Sequence, residues 1–153
     1  KREELLNRFS ENFIFRAQKF DQMLSVIPEA ATAVKSGVGA MHDVTEGGIF
    51  GALWELAEAS GVGLEIELKK IPLKQETVEI CEFFGINPYE LISSGVMLMA
   101  AKDGNRLVME LAKENISACV IGKATEGNDR VLLNDGERRF LEPPKSDELY
   151  KVI

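Results

Sequence analysis

The chain has 153 residues, 45% hydrophobic and 28% charged, enough for one domain with a real core. A net charge of −7 argues against nucleic acid, which needs clustered cations. No apolar run approaches the roughly 20 residues of a membrane span and no signal peptide is recognisable, so the chain is expected to be cytoplasmic, with no membrane partner.

The chain opens on "KREELLNRF" without a methionine, and is expected to be a piece of a longer protein. Leu5, Leu6, Phe9, Phe13, Ile14, Ala17, Phe20 and Leu24 recur at helical spacing, with Ser10 a candidate cap for a second helical piece. Ser25 and Pro28 signal another helix start, which Gly37 ends. "VGAMHDV" is predicted to be a buried strand. A helix follows from about Thr45 to Ser60, closed by Gly61. Leu64, Ile66 and Leu68 alternate with Glu65 and Glu67, the pattern of a half-buried strand. "KQETVEICEFFG" predicts a helix stopped by Gly85, and "NPYELIS" a short helical turn.

"GVMLMAA" predicts a fully buried strand. "DGNRLVMELAKENI" predicts an amphipathic helix with Leu107, Val108, Leu111 and Ala112 inward. "SACVIGKAT" is read as a strand, and "RVLLNDGERRF" as a hairpin turning at Asn134, Asp135 and Gly136. "SDELYKVI" suggests a terminal helix capped by Ser146. Helices and strands alternate, so the predicted fold class is α/β (α+β), with layered helices on a mixed β-sheet, as one domain over residues 1–153. Cys81 and Cys119 have no metal-ligand spacing and read as buried reduced thiols; no metal site is assigned.

"MHDVTEGGIF" joins a predicted strand to a predicted helix through Asp43, Thr45, Gly47 and Gly48. A helix start presents unpaired N–H groups and partial positive charge, and glycine there lets an anion approach. Thr45 could cap the helix or contact a phosphate; Asp43 suits a cation, an acid–base step or substrate orientation. Neither a Walker A nor a GxGxxG pattern is present. On spacing alone, a capped helix with glycines for close packing is the stronger reading. His42 is the only histidine.

Several stretches together resemble one family. Met41, Asp43, Thr45, Gly47 and Gly48 are followed by Ala57, then Ser60, Gly61, Val62 and Gly63, then Ile71 and Pro72. With "NPYELISSGVMLMA" and "IGKAT", this resembles the C-terminal domain of the aminoimidazole ribonucleotide synthetase (PurM-like) superfamily, nearest its HypE-like branch, from about Ala30 to Leu133. The resemblance implies a two-domain protein whose N-terminal domain, absent here, binds ATP and Mg2+ and forms a homodimer. This domain would close the cleft over a small-molecule or protein-bound substrate, whose oxygen is activated by phosphorylation.

By the same resemblance Asp43 would be the catalytic or orienting acid. Thr45, Gly47, Gly48, Ser93, Ser94 and Gly95 would line the phosphate and substrate side. The chain ends "SDELYKVI", without the terminal cysteine the HypE reaction uses, so a HypE-like homologue of unassigned substrate is expected. A non-catalytic binding or assembly module is the alternative. Gly48→Val is expected to harm activity more than folding.

Overall fold

A computed structural model describes residues 1–153. In chain order the elements are α1 (Arg2–Leu6), α2 (Glu11–Gln18), a 3-10 turn (Lys19–Met23), α3 (Ile27–Lys35), β1 (Ala40–Asp43), α4 (Gly48–Ser60) and β2 (Gly63–Glu67). Then come α5 (Gln75–Phe84), β3 (Met97–Ala100), α6 (Gly104–Lys113), β4 (Gly122–Thr125), β5 (Arg130–Asn134), β6 (Glu137–Phe140) and a last 3-10 turn (Glu148–Lys151). The fold is mixed α/β, as the sequence predicts.

The strands form two sheets rather than one. β1 and β3 make an antiparallel ribbon that pairs Ala40 with Ala100 and Asp43 with Met97. The other four lie in the order β4-β2-β5-β6, with β2 and β5 parallel and the outer pairs antiparallel. This second sheet is therefore mixed.

Helix α4 lies between them. Its residues Ile49, Phe50, Ala52, Leu53 and Ala57 share a core with Leu64, Ile66 and Leu132 of the sheet and Leu98 of the ribbon. Facing two sheets explains why the helix is apolar on most of its circumference. The other face of the ribbon, through Met41 and Met99, packs on Ala33 of α3 and on Leu107 and Leu111 of α6. Alternation along a strand sends neighbouring residues to opposite faces, so the ribbon serves two cores. A third contact fixes the N-terminal helices to α5. Phe9 stacks on Phe13 at 4.6 Å and meets Phe83 edge-on at 5.9 Å, and Arg16 pairs with Glu76 at 2.8 Å. At the far end of α4, Arg130 of β5 lies over the Trp54 ring at 4.2 Å and reaches Glu58 at 2.6 Å.

Local signals set most boundaries. The Ser10 hydroxyl accepts the Phe13 N–H at 3.2 Å, and Asp103 caps α6 by accepting the Arg106 N–H at 3.0 Å. The β5–β6 turn places Asp135 and Gly136 at φ +50° and +85°, the left-handed pair of a tight hairpin.

Six expectations need correction. The helix expected from Thr45 begins at Gly48, because Gly47 (φ +80°) ahead of it and Gly48 (φ +61°), its first residue, hold left-handed conformations; Thr45 does not cap it. "NPYELIS" is no helix: Asn87 Oδ1 accepts the Tyr89 N–H at 3.1 Å and makes an Asx turn. β1 and β3 are half-buried rather than fully buried, since a two-stranded ribbon leaves its edges uncovered. "SACVIGKAT" is strand only from Gly122, and Cys119 is exposed while Cys81 is buried. The last element is a 3-10 turn capped by Asp147, not by Ser146.

Leu53 is 1% exposed at the centre of the α4 core. Leu53→Ala should lower the unfolding free energy by about 2–5 kcal/mol, read from denaturant midpoints at unchanged slope. A loss near zero would show that α4 is not the central packing element.

Candidate functional site

Because β1 and β3 are antiparallel, the end of β1 and the start of β3 lie at the same end of the ribbon. The chain leaves β1 at Asp43, and the buried Val44 donates its N–H to the Val96 carbonyl at 2.9 Å. The loop holding Thr45, Gly47 and Gly48 is thereby joined to the loop holding Ser93, Ser94 and Gly95. The structure thus brings the sequence-predicted residues to one place.

Their environments differ. Asp43, Thr45 and Ser94 are exposed, and the Thr45 and Ser94 hydroxyls bond to no protein group. The Asp43 carboxylate lies 3.7 Å from His42 Nδ1, whose Nε2 lies 2.7 Å from the Glu55 carboxylate. Ser93 turns inward and donates to the Leu91 carbonyl at 2.8 Å. Gly95 has φ +94°, and a Cβ there would fall 2.1 Å from the Met23 carbonyl oxygen. This loop is pressed against the backbone that follows α2.

The start of α4 is occupied by the protein itself. The Gly47 N–H donates to Asp147 Oδ2 at 2.7 Å, the Gly48 N–H to the Thr45 carbonyl at 3.1 Å and the Phe50 N–H to the Tyr89 carbonyl at 3.0 Å. Asp147 belongs to the C-terminal turn and is only 3% exposed. Its carboxylate therefore takes the position that complements the donors at the helix start. Its neighbour Glu148 is also buried, and accepts the Asn87 N–H at 3.1 Å. Tyr150 OH donates to Glu46 at 2.7 Å. Beside this junction lies a cavity of about 500 Å³ whose walls include Gly47, Phe50, Arg139, Glu142 and Lys145.

Asp147 and Glu148 escaped the sequence reading. "SDE" offers two cap residues of nearly equal merit, and Ser146 comes first. No periodicity marks a carboxylate that is buried by contacts made a hundred residues away in the chain. No group of three or more His, Cys, Asp or Glu side chains is placed to hold a metal ion.

Two measurements test this geometry. A Cβ on Gly48 would lie 2.6 Å from the Tyr89 oxygen and 2.7 Å from the Leu91 oxygen, both backbone atoms, at a positive φ. The expectation that Gly48→Val spares folding is therefore corrected. The change should cost more than the roughly 1–3 kcal/mol of ordinary overpacking, with melting temperature and activity falling together. An unchanged melting temperature would refute the backbone contact.

The second concerns acid. The Lys151 ammonium beside Glu148, together with the Asn87 N–H, holds the Glu148 carboxyl below its ordinary value of 4.5 against the opposing effect of burial. The folded value is the lower one, so ionised Glu148 stabilises the closed C-terminal turn above about pH 4.5. That contribution is lost as pH falls through the depressed folded value. Amide protection at Leu149 to Lys151, read by hydrogen exchange, should fall on acidification in the native chain, and in Glu148→Gln should already be weak with no such acid-linked loss, since the charge is absent there.

The chain is similar to several known proteins. The HypE carbamoyl dehydratase of Rhodobacter capsulatus is 34% identical over 127 residues, covering 78% of this chain and 37% of that protein. The PurL subunit of phosphoribosylformylglycinamidine synthase from Caldanaerobacter subterraneus is 32% identical over 114 residues, covering 71% of this chain and 14% of that subunit. Among solved structures, Escherichia coli HypE, a hydrogenase maturation protein, superposes with a TM-score of 0.71 at 25% identity, over 84% of this chain and 42% of that one. The thiamine monophosphate kinase of Aquifex aeolicus shares the fold with a TM-score of 0.59 at 23% identity, over 90% and 46%. The chain thus spans less than half the length of each of these relatives. The family described as AIR synthase related protein, C-terminal domain, matches residues 10–134. The chain belongs to the AIR synthase-related C-terminal domain family, within the PurM-like superfamily.

Proposed function

We propose that this chain is the substrate- and phosphate-side domain of a two-domain, HypE-like, ATP-dependent synthetase that activates a substrate oxygen by phosphorylation. The observation that carries the reading is the ribbon end, where Asp43, Thr45, Ser93 and Ser94 meet beside the start of α4 within a domain of this family. One exposed carboxylate and free hydroxyls fit the rim of a cleft. They do not form a complete nucleotide pocket, because the first donors of α4 are taken internally. ATP and Mg2+ are therefore assigned chiefly to an N-terminal domain, and ATP supplies the phosphoryl group when bound.

In this reading Asp43 orients the substrate or a cation, and Thr45 and Ser94 donate hydroxyl contacts. Gly48 and Gly95 let neighbouring loops approach within backbone distance, and Gly47 turns the chain ahead of α4, so that the rim keeps its shape. The whole protein would act as a cytoplasmic homodimer on a small-molecule or protein-bound substrate.

A second reading is a non-catalytic assembly module of a HypE-like hydrogenase maturation factor. It is favoured by the exposed Phe15, Met23, Leu24 and Ile27, all on the N-terminal side of the domain, where another domain could pack.

The isolated chain should show no meaningful ATP turnover, because catalysis needs preorganised charge on both sides of a closed cleft. Sustained turnover by the purified 153-residue chain, with contaminating ATPase excluded, would overturn the two-domain account. In the full-length protein, Asp43→Asn should lower the rate by about 10²- to 10⁴-fold with little change in melting temperature, since the side chain is 61% exposed. Normal ATP-dependent activity in that variant would favour the assembly module.

A further inference from the structure

We propose that His42 is the proton acceptor behind Asp43: Glu55 holds the imidazole by Nε2, and Nδ1 takes up the proton that Asp43 removes from the substrate group being phosphorylated. The inference rests on the reading of Asp43 as the acid at the substrate rim, and gives that acid an acid–base role. His42 and Glu55 act through Asp43, so they are positioning residues rather than groups that touch substrate.

Geometry sets up the transfer. An ionised carboxylate only accepts, so the 2.7 Å contact between His42 Nε2 and Glu55 is an N–H donated to Glu55. That bond decides which nitrogen of the neutral imidazole holds its proton. It leaves the Nδ1 lone pair toward Asp43, 3.7 Å from the carboxylate oxygen. The gap exceeds a hydrogen bond, and a small rotation of the exposed Asp43 side chain closes it. With the substrate proton on Asp43, its O–H faces that lone pair. Once Nδ1 is protonated, both ring N–H groups have a carboxylate beside them.

The charges around the ring leave the proton one stop. Opposite His42 on β3 stands Leu98, and Met97 to Ala100 carry no charge. From α4 the ring meets Glu55, while Glu58, nearly one turn on, is held by Arg130 at 2.6 Å. No lysine or arginine pairs with Asp43 or Glu55; their one ion-pair partner is His42. Two carboxylates thus flank the single side chain there that can become a cation. The step balances. The substrate X–H bond breaks and its electron pair stays on X. The proton goes to an Asp43 oxygen and then to Nδ1. The imidazolium afterwards returns it to water, which reaches the ring because the side chain is 28% exposed.

Two readouts test it. On the 153-residue chain, imidazole N–H protons are followed by nitrogen-edited NMR, and every ring signal belongs to His42 because no other histidine is present. The Nε2–H should appear far downfield at neutral pH and vanish in Glu55→Ala. An Nδ1–H should join it on acidification and be lost to solvent exchange in Asp43→Ala. In the full-length protein the assay is ATP hydrolysis with Mg2+, water standing in for the unidentified substrate. His42→Gln should lower kcat about 10²-fold, the low end for a positioned proton acceptor, with KM for ATP unchanged, and added imidazole should restore part of the loss. Glu55→Ala, at an exposed side chain, should lower kcat in the same way and keeps the test open if His42→Gln folds poorly. Normal turnover in Asp43→Asn overturns the reading of Asp43 itself. Lost turnover in Asp43→Asn with normal turnover in His42→Gln and Glu55→Ala overturns only the relay. So does a loss in His42→Gln that imidazole does not restore, with ring N–H signals that ignore Asp43→Ala.

Discussion

The structure depends on the way the chain enters α4. That helix must touch the ribbon on one side and the four-stranded sheet on the other, and must begin within backbone contact of the loop at Tyr89 and Leu91. Side chains cannot fit in that gap. Two successive glycines in left-handed conformations turn the chain there, and the Tyr89 carbonyl then accepts the Phe50 N–H. From this junction the rest follows: the position of α4 fixes the ribbon, and the ribbon end fixes where Asp43 and Thr45 stand relative to Ser93 and Ser94.

The same constraint separates two roles that the motif joins in sequence. Glycine at a helix start can serve an approaching anion or an approaching backbone. At Gly48 the neighbours are backbone atoms; at Gly47 the N–H donates to a carboxylate. Asp43 and Thr45, a few residues earlier, face outward instead. The motif is thus a structural corner with a chemically exposed edge, and what the protein offers a substrate lies on that edge.

Much of this was legible in the sequence where periodicity is strong. Helix α4, the alternation of Leu64 and Ile66, and the turn at Asp135 and Gly136 follow from local patterns that tertiary contacts do not override. The short apolar runs of β1 and β3 read as buried strands because composition reports hydrophobicity and not the number of neighbours. Only pairing shows that these two strands stand apart from the larger sheet. Cys119 misled for a similar reason: its apolar neighbours Ala118 and Val120 are exposed too. Of the site, the loops were legible and the occupant was not, since Asp147 reaches Gly47 from a hundred residues further along the chain.

The parallel pairing of β2 with β5 carries a consequence for how the domain is made. β2 is an inner strand, yet both its neighbours, β4 and β5, come after α5, β3 and α6 in the chain. On a ribosome the ribbon and its helices can assemble first, while β2 waits with both edges unpaired and Leu64 and Ile66 uncovered. Such non-local closure is slow, because loop entropy is spent before any contact returns it. A nascent chain stalled ahead of Arg130 would therefore present an open apolar strand edge, which is the surface that chaperones bind and aggregates recruit.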